Sequence, residues 1–247
     1  MAREAVADLA GRDNADHLLG MAAAVMHELA APEVDMVRID LALEAVDGLR
    51  DWLAGEIHRP SSRFLAGLAD VWSDEHLGPD YAAALLAQFI TGSYEPILTA
   101  LCVAGELATA PLMAGLPVRS VREEVLRLAT PFRFASRYAR RPVTVGPHHL
   151  GTGDRVTVCL GTANLDPRRY PEPLDVAERR EIPRSFSFGF GKHYCPGAPI
   201  ARTVIDALLK TMLGLGVRFE VEEMQREPEL PMLRYRQLKG HLVRHDR

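Results

Sequence analysis

Cysteine is scarce: the 247-residue chain has three, Cys102, Cys159 and Cys195. They are too few and too scattered for a disulfide framework, and no Cys-x-x-Cys pair offers half of a zinc site. Aromatic residues make up only 6%, and neither sign of charge dominates, with 29 Lys and Arg against 33 Asp and Glu. A nucleic-acid-binding surface would need a basic excess that this balance does not supply. No uninterrupted apolar run reaches the length of a membrane span, and the N-terminus lacks a signal-peptide pattern. The expected compartment is therefore the cytoplasm, with no membrane partner. Internal repeats, low-complexity tracts and long charge runs are also missing. What remains is 47% hydrophobic and 25% charged, enough for one large or two modest cores. Cys102 and Cys159 lie in apolar stretches and read as small core residues.

The first half reads as helical. Residues 14–31 are rich in Ala, Leu and Met at helical spacing and stop before Pro32. In residues 36–57, Val37, Leu41, Ala45, Leu49, Trp52 and Leu53 recur on one face. Arg59-Pro60-Ser61-Ser62 breaks that helix, and 63–72 resume it. Gly78-Pro79-Asp80 then opens a long apolar helix toward Leu107, with Pro96 removing a donor and distorting its middle. Ser120-Val121-Arg122-Glu123 has the form of a capping box, starting a helix that ends before Pro131. The second half is mixed. Gly151-Thr152-Gly153-Asp154 reads as a hairpin turn, Arg155 to Leu160 as the strand after it, and Val217 to Val221 as an alternating strand.

The most informative run is Phe188-Gly189-Phe190-Gly191-Lys192-His193-Tyr194-Cys195-Pro196-Gly197. It puts one cysteine in a glycine-rich loop directly ahead of a helix expected over 198–213. The glycines let backbone pass close to a bulky ligand. The helix start behind Cys195 presents unpaired N–H groups and a positive dipole end, which favour a thiolate. Such a cysteine suits a soft or borderline metal, and heme iron is the leading candidate. Two other readings compete: a buried structural cysteine on a strand-to-helix turn, and zinc held by His193 and Cys195.

Six fixed positions in ten residues, Phe-Gly-x-Gly-x-His-x-Cys-x-Gly, followed by Ala198-Pro199-Ile200-Ala201-Arg202, resemble the heme-thiolate loop of the cytochrome P-450 family. The resemblance implies heme b (iron protoporphyrin IX) as cofactor, with Cys195 as the axial iron ligand. It places Phe188 near the thiolate and His193 at a heme propionate, with Gly189 and Gly197 shaping the loop. Glu124 and Arg127, three apart on one helix, resemble the family's Glu-x-x-Arg pair, which is buried and joined by an arginine of the later meander. Arg179 is the choice for that arginine, with Arg180 beside it. Taken alone, such a pair is a common surface feature. Ala135-Ser136-Arg137-Tyr138-Ala139 resembles the strand whose arginine meets a propionate, here Arg137, whose fork suits a carboxylate; an exposed edge-strand cation is the alternative. Ala163-Asn164-Leu165-Asp166-Pro167 and Tyr170-Pro171-Glu172-Pro173 resemble further stretches of the family in the same order.

The fold expected is mainly α with a small β-sheet, a truncated cytochrome P-450-like fold forming a single heme-binding domain over 1–247. Residues 1–115 would be its helical part, including a distal helix at 80–107. Residues 116–247 would be the proximal part, with a small sheet from 131–160 and a C-terminal strand pair. Three departures qualify the resemblance. Fewer than 80 residues precede the distal helix, so the pocket-covering segment has no counterpart, and a second copy or a partner is expected on the distal side. The family's Ala-Gly-x-Asp/Glu-Thr, which helps deliver protons during oxygen activation, is replaced by Thr91-Gly92-Ser93-Tyr94-Glu95-Pro96. Gly92 still permits close approach to heme, and Glu95 with Thr91 are the candidate catalytic groups; a solvent-facing glutamate is the equal alternative. The meander from Pro173 to Arg179 is short, with Leu174 where the family has phenylalanine.

Three functions stay open. One is a heme-thiolate oxidoreductase acting on a small organic substrate, by monooxygenation with a ferredoxin-type partner or driven by peroxide. Lys192, Arg122 and Arg202 would receive that partner. A second is a non-oxidative heme enzyme or a silent auxiliary or sensor subunit. The third is a scaffold without heme.

Overall fold

The computed structural model describes residues 12–30, 35–60, 62–176, 184–226 and 232–244. The chain divides into two units, Met1–Leu98 and Thr99–Arg247.

In the first unit, side chains that accept from free N–H groups start two of the helices. Helix α1 spans Arg12–Ala30, α2 Met36–Glu56, α3 Arg63–Trp72 and α4 Gly78–Ser93. Asp35 accepts from the Val37 N–H at 2.9 Å and Ser62 from the Leu65 N–H at 3.2 Å, each capping the helix it precedes. Leu18, Leu49, Leu53, Leu65, Leu86 and Ile90 are fully buried and form one core. The stripe expected on α2 is only half used. Ala45, Leu49 and Leu53 are buried, whereas Val37 and Leu41 are 68% and 53% exposed. Periodicity marks an apolar face, but neighbouring helices cover it only from Ala45 onward.

The distal helix expected as one distorted element is a series. Helix α4 ends at Ser93, and α5, Glu95–Val103, begins with Pro96 in its first turn. Proline supplies no N–H to the Gly92 carbonyl, so the ladder breaks at Tyr94. A π-turn at Ala104–Ala108 and helix α6, Thr109–Met113, follow. By length and composition the run Gly78–Leu112 is apolar enough to cross a membrane, which reading for uninterrupted apolar runs did not register. Within it Ala82, Leu86, Ala87 and Ile90 belong to the first core and Ala100, Val103, Ala104, Ala108 and Leu112 to the second.

In the second unit, helix α7 spans Val118–Ala129 and α9 Ala198–Leu215. Val121, Val125, Ile205 and Leu209 pack with Val103, Ala104 and Leu112. The capping box is a misreading. Helix α7 starts earlier, behind Pro117, whose carbonyl accepts the Val121 N–H at 3.1 Å. Ser120 is therefore buried inside the helix, and Glu123 pairs with arginines instead. Gly216 ends α9 at φ 61°, where glycine carries no Cβ penalty.

The strands form two-stranded antiparallel ribbons among the described residues. Strand β1 (Phe134–Tyr138) pairs with β4 (Arg155–Cys159), β2 (Val143–Val145) with β3 (His148–Leu150), and β5 (Val217–Arg226) with β6 (Tyr235–Arg244). A short helix, α8 at Leu160–Ala163, follows β4. The mainly helical architecture with small sheets is as expected, but residues 131–160 give two separate ribbons rather than one sheet. Cys159, expected in the core, is exposed at the end of β4. Cys102 is partly buried, and that burial, with Glu106 nearby, pushes its thiol pKa up.

Replacing Leu49 by Ala should cost about 2–5 kcal/mol in chemical denaturation, while Leu41→Ala should change stability by less than about 0.5 kcal/mol.

Candidate functional site

The candidate residues fall in both units: Thr91, Gly92 and Glu95 in the first; Arg137, Phe188, Gly189, His193, Cys195 and Gly197 in the second.

The cysteine loop is built by backbone bonds. The Cys195 N–H donates to the Phe188 carbonyl at 2.9 Å, and the Gly189 N–H to the Phe186 carbonyl at 2.9 Å. Gly189 and Gly191 sit at φ 69° and 70°, which other residues adopt only with strain. A Cβ on Gly189 would also lie 3.3 Å from the His193 carbonyl oxygen. Gly191–His193 forms a single 3₁₀ turn, after which the chain runs through Cys195 into α9. The Cys195 thiol is free and partly buried. A Cβ at Gly197 would stand 3.6 Å from Sγ. Phe188 packs against the second core, whereas Phe190 is 68% exposed and His193 is exposed.

Beneath the loop lies a buried ion pair. Arg127 donates Nε to Glu124 Oε1 at 2.9 Å and Nη2 to Oε2 at 2.8 Å, and both residues are 1% exposed. Nη1 donates to the Asn164 carbonyl at 2.9 Å and the Pro173 carbonyl at 2.7 Å. The guanidinium also lies 4.7 Å from the centre of the Tyr170 ring. Arg179 and Arg180, chosen as the third member, lie outside the described residues.

A second layer, which reading the sequence missed, joins this pair to the loop. Asn164, fully buried, donates Nδ2 to Thr130 Oγ1 at 2.8 Å and to Ser187 Oγ at 3.0 Å. Its Oδ1 accepts from the Phe186 N–H at 2.8 Å. Thr130 follows α7 and Ser187 precedes Phe188, so the asparagine clamps the helix end to the loop. The available signal was Asn164 inside the Ala-Asn-x-Asp-Pro stretch, a match of order that assigned the side chain no task.

Arg137 is exposed in β1, opposite Val156, and donates to the Ser136 carbonyl at 2.7 Å. In the first unit, Thr91 is buried and its hydroxyl donates to the Ala87 carbonyl at 2.7 Å. Gly92 is exposed and has room for a Cβ, whose nearest atom would be Gln88 Nε2 at 3.6 Å. Thr91, Tyr94 and Glu95 border a recess of about 10 Å³ with Leu19, Ala22, Ala23 and Ile90.

Among the described residues, no group of three or more His, Cys, Asp or Glu side chains could hold a metal ion. A metal at Cys195 would therefore draw on fewer than three such side chains of the described residues and need further ligands from a group that brings its own. One free thiol, a loop held to glycine at 189 and 191, and exposed His193 and Arg137 suit a planar iron ring carrying carboxylates.

Arg127→Met should destabilise the protein by about 3–5 kcal/mol in urea unfolding, because Glu124 stays buried without its bidentate partner. The double variant Arg127→Met with Glu124→Leu should recover part of that loss.

A sequence model described as Cytochrome P450 matches residues 116–242. Polyketide biosynthesis cytochrome P450 PksS of Bacillus subtilis is 37% identical over 108 residues, covering 42% of this chain and 27% of its own. The 6-deoxyerythronolide B hydroxylase of Saccharopolyspora erythraea is 26% identical over 192 residues, covering 74% of this chain and 48% of its own. The chain thus spans about half or less of these curated relatives. Among solved structures, P450BioI in complex with an acyl carrier protein aligns over 96% of this chain and 65% of its own, with a TM-score of 0.77 at 20% identity. That likeness is one of fold.

Proposed function

Because the chain belongs to the cytochrome P450 family, we propose that it is a heme-thiolate oxidoreductase acting on a small organic substrate by monooxygenase-type or peroxide-driven oxidation. The observation that carries this reading is Cys195, a free thiol in a glycine-shaped loop fastened to a buried Glu124–Arg127 pair through Asn164. Heme b is the proposed cofactor; when bound, it supplies through thiolate ligation the electron push that favours O–O cleavage.

The residues take distinct tasks. Cys195 holds the iron, and Phe188 shields the sulfur from the side of the core. His193 and Arg137 are exposed cations or donors suited to the two propionates. Gly189 and Gly191 hold the left-handed turns that shape the loop ahead of the sulfur. In the first unit the Thr91 hydroxyl donates to its own helix, and Glu95, at the start of α5, is the proposed proton-handling group. Tyr94 and Glu95 in place of the usual acid–alcohol pair favour the second reading, a non-oxidative heme enzyme or an auxiliary or sensor subunit.

A ferredoxin-type donor would meet Lys192, which is exposed. Arg122 and Arg202 are occupied by Glu123 and Asp206 and offer less free charge. Tyr81, Leu85 and Phe89, spaced along one face of α4 and 49%, 37% and 42% exposed, support a second copy or a partner on the distal side. The cytoplasm is the compartment assigned by this reading.

Heme-loaded protein, given a panel of small organic substrates, should oxidise them with peroxide. Added NADPH, ferredoxin and reductase should give turnover only if Glu95 replaces the usual proton route, and Glu95→Gln should then lose roughly 10²–10⁴-fold. Heme binding without turnover under either condition would reject the oxidoreductase reading and favour the second one.

A further inference from the structure

An ionic ladder runs from α9 across α7 to two aromatic residues of the cysteine loop, Phe188 and Tyr194. Asp206 Oδ2 accepts from Arg122 Nη1 at 2.9 Å, and Arg122 also bonds Glu123 Oε1. The same Glu123 oxygen accepts from Arg202 Nε at 3.0 Å. Arg202 then reaches the loop twice. Its Nη1 donates to the Tyr194 hydroxyl at 3.3 Å, and its guanidinium lies 4.9 Å from the centre of the Phe188 ring. Phe188 and Tyr194 meet edge to face with centroids 6.3 Å apart, and Arg184 covers the Tyr194 ring at 4.6 Å.

Phe188 is also the residue whose carbonyl fixes the Cys195 N–H. Phe188 thus links the ring on which Arg202 stacks to the backbone that holds the Cys195 N–H. We propose that Arg202 is a positioning residue for Cys195, holding Phe188 and Tyr194 on either side of the loop so that the sulfur keeps its ligating position. The role needs a planar cation that stacks and bonds at once, which lysine cannot reproduce. This inference rests on the heme-thiolate reading above.

The test compares Arg202→Met, Arg202→Lys and Asp206→Asn with the unaltered protein, all heme-loaded, reduced and saturated with carbon monoxide. The readout is the share of bound heme showing the strongly red-shifted Soret band of thiolate ligation, with thermal unfolding as the control for stability. Arg202→Met should lose at least about half of that share, and Arg202→Lys should restore only part of it. Asp206→Asn, which disturbs the far end of the ladder, should lower the unfolding temperature and leave the band unchanged. If Arg202→Met keeps the full band, or loses heme without altering the band of what remains, the positioning role is overturned. If Arg202→Met does not fold, a full band in Arg202→Lys overturns it equally. Absence of the band from the unaltered protein would instead reject the heme-thiolate reading itself.

Discussion

The proximal half of the molecule depends on the ion pair of Glu124 and Arg127. Both charges are withdrawn from water, a costly placement unless every remaining donor finds an acceptor. Here the guanidinium satisfies the carboxylate with two bonds and two backbone carbonyls with its third nitrogen. Those carbonyls belong to Asn164 and Pro173, in segments with little regular structure of their own. One side chain on a helix thus fixes the course of two loops. Asn164, held by its carbonyl, then uses its amide to seize Thr130, Ser187 and the Phe186 backbone. This chain of bonds ties the backbone just ahead of the cysteine loop to α7, while Phe188 adds packing against the second core.

Such construction suits a cysteine that must meet a large rigid group. A metal bound by several protein ligands draws its site together as it binds. With one protein ligand, the sulfur has to stand in the correct place beforehand. Buried hydrogen bonds with fixed directions achieve this better than apolar contacts, which tolerate sliding.

The sequence revealed the loop because glycine, cysteine and histidine have few interchangeable substitutes at these positions; φ near 70° at Gly189 and Gly191 is the physical reason. It revealed Glu124 and Arg127 as partners because helical spacing suffices for that. What Arg127 does with its third nitrogen was illegible, since the acceptors are backbone carbonyls, which any residue provides. Asn164 stands within a matching stretch, yet its amide joins residues distant in sequence. Ser120 was misread because a serine followed by glutamate fits a cap equally well when Pro117 has already started the helix. Val37 and Leu41 were misjudged because periodicity reports a face and not its coverage.

In the proposed function Cys195 alone supplies the protein's bond to heme iron. X-ray absorption fine structure at the iron edge of the heme-loaded chain measures this directly. A single sulfur scatterer is expected in the first coordination shell, lost in Cys195→Ser and retained in Cys102→Ser and Cys159→Ser. A first shell of nitrogen and oxygen only, or a sulfur that survives Cys195→Ser, would contradict it.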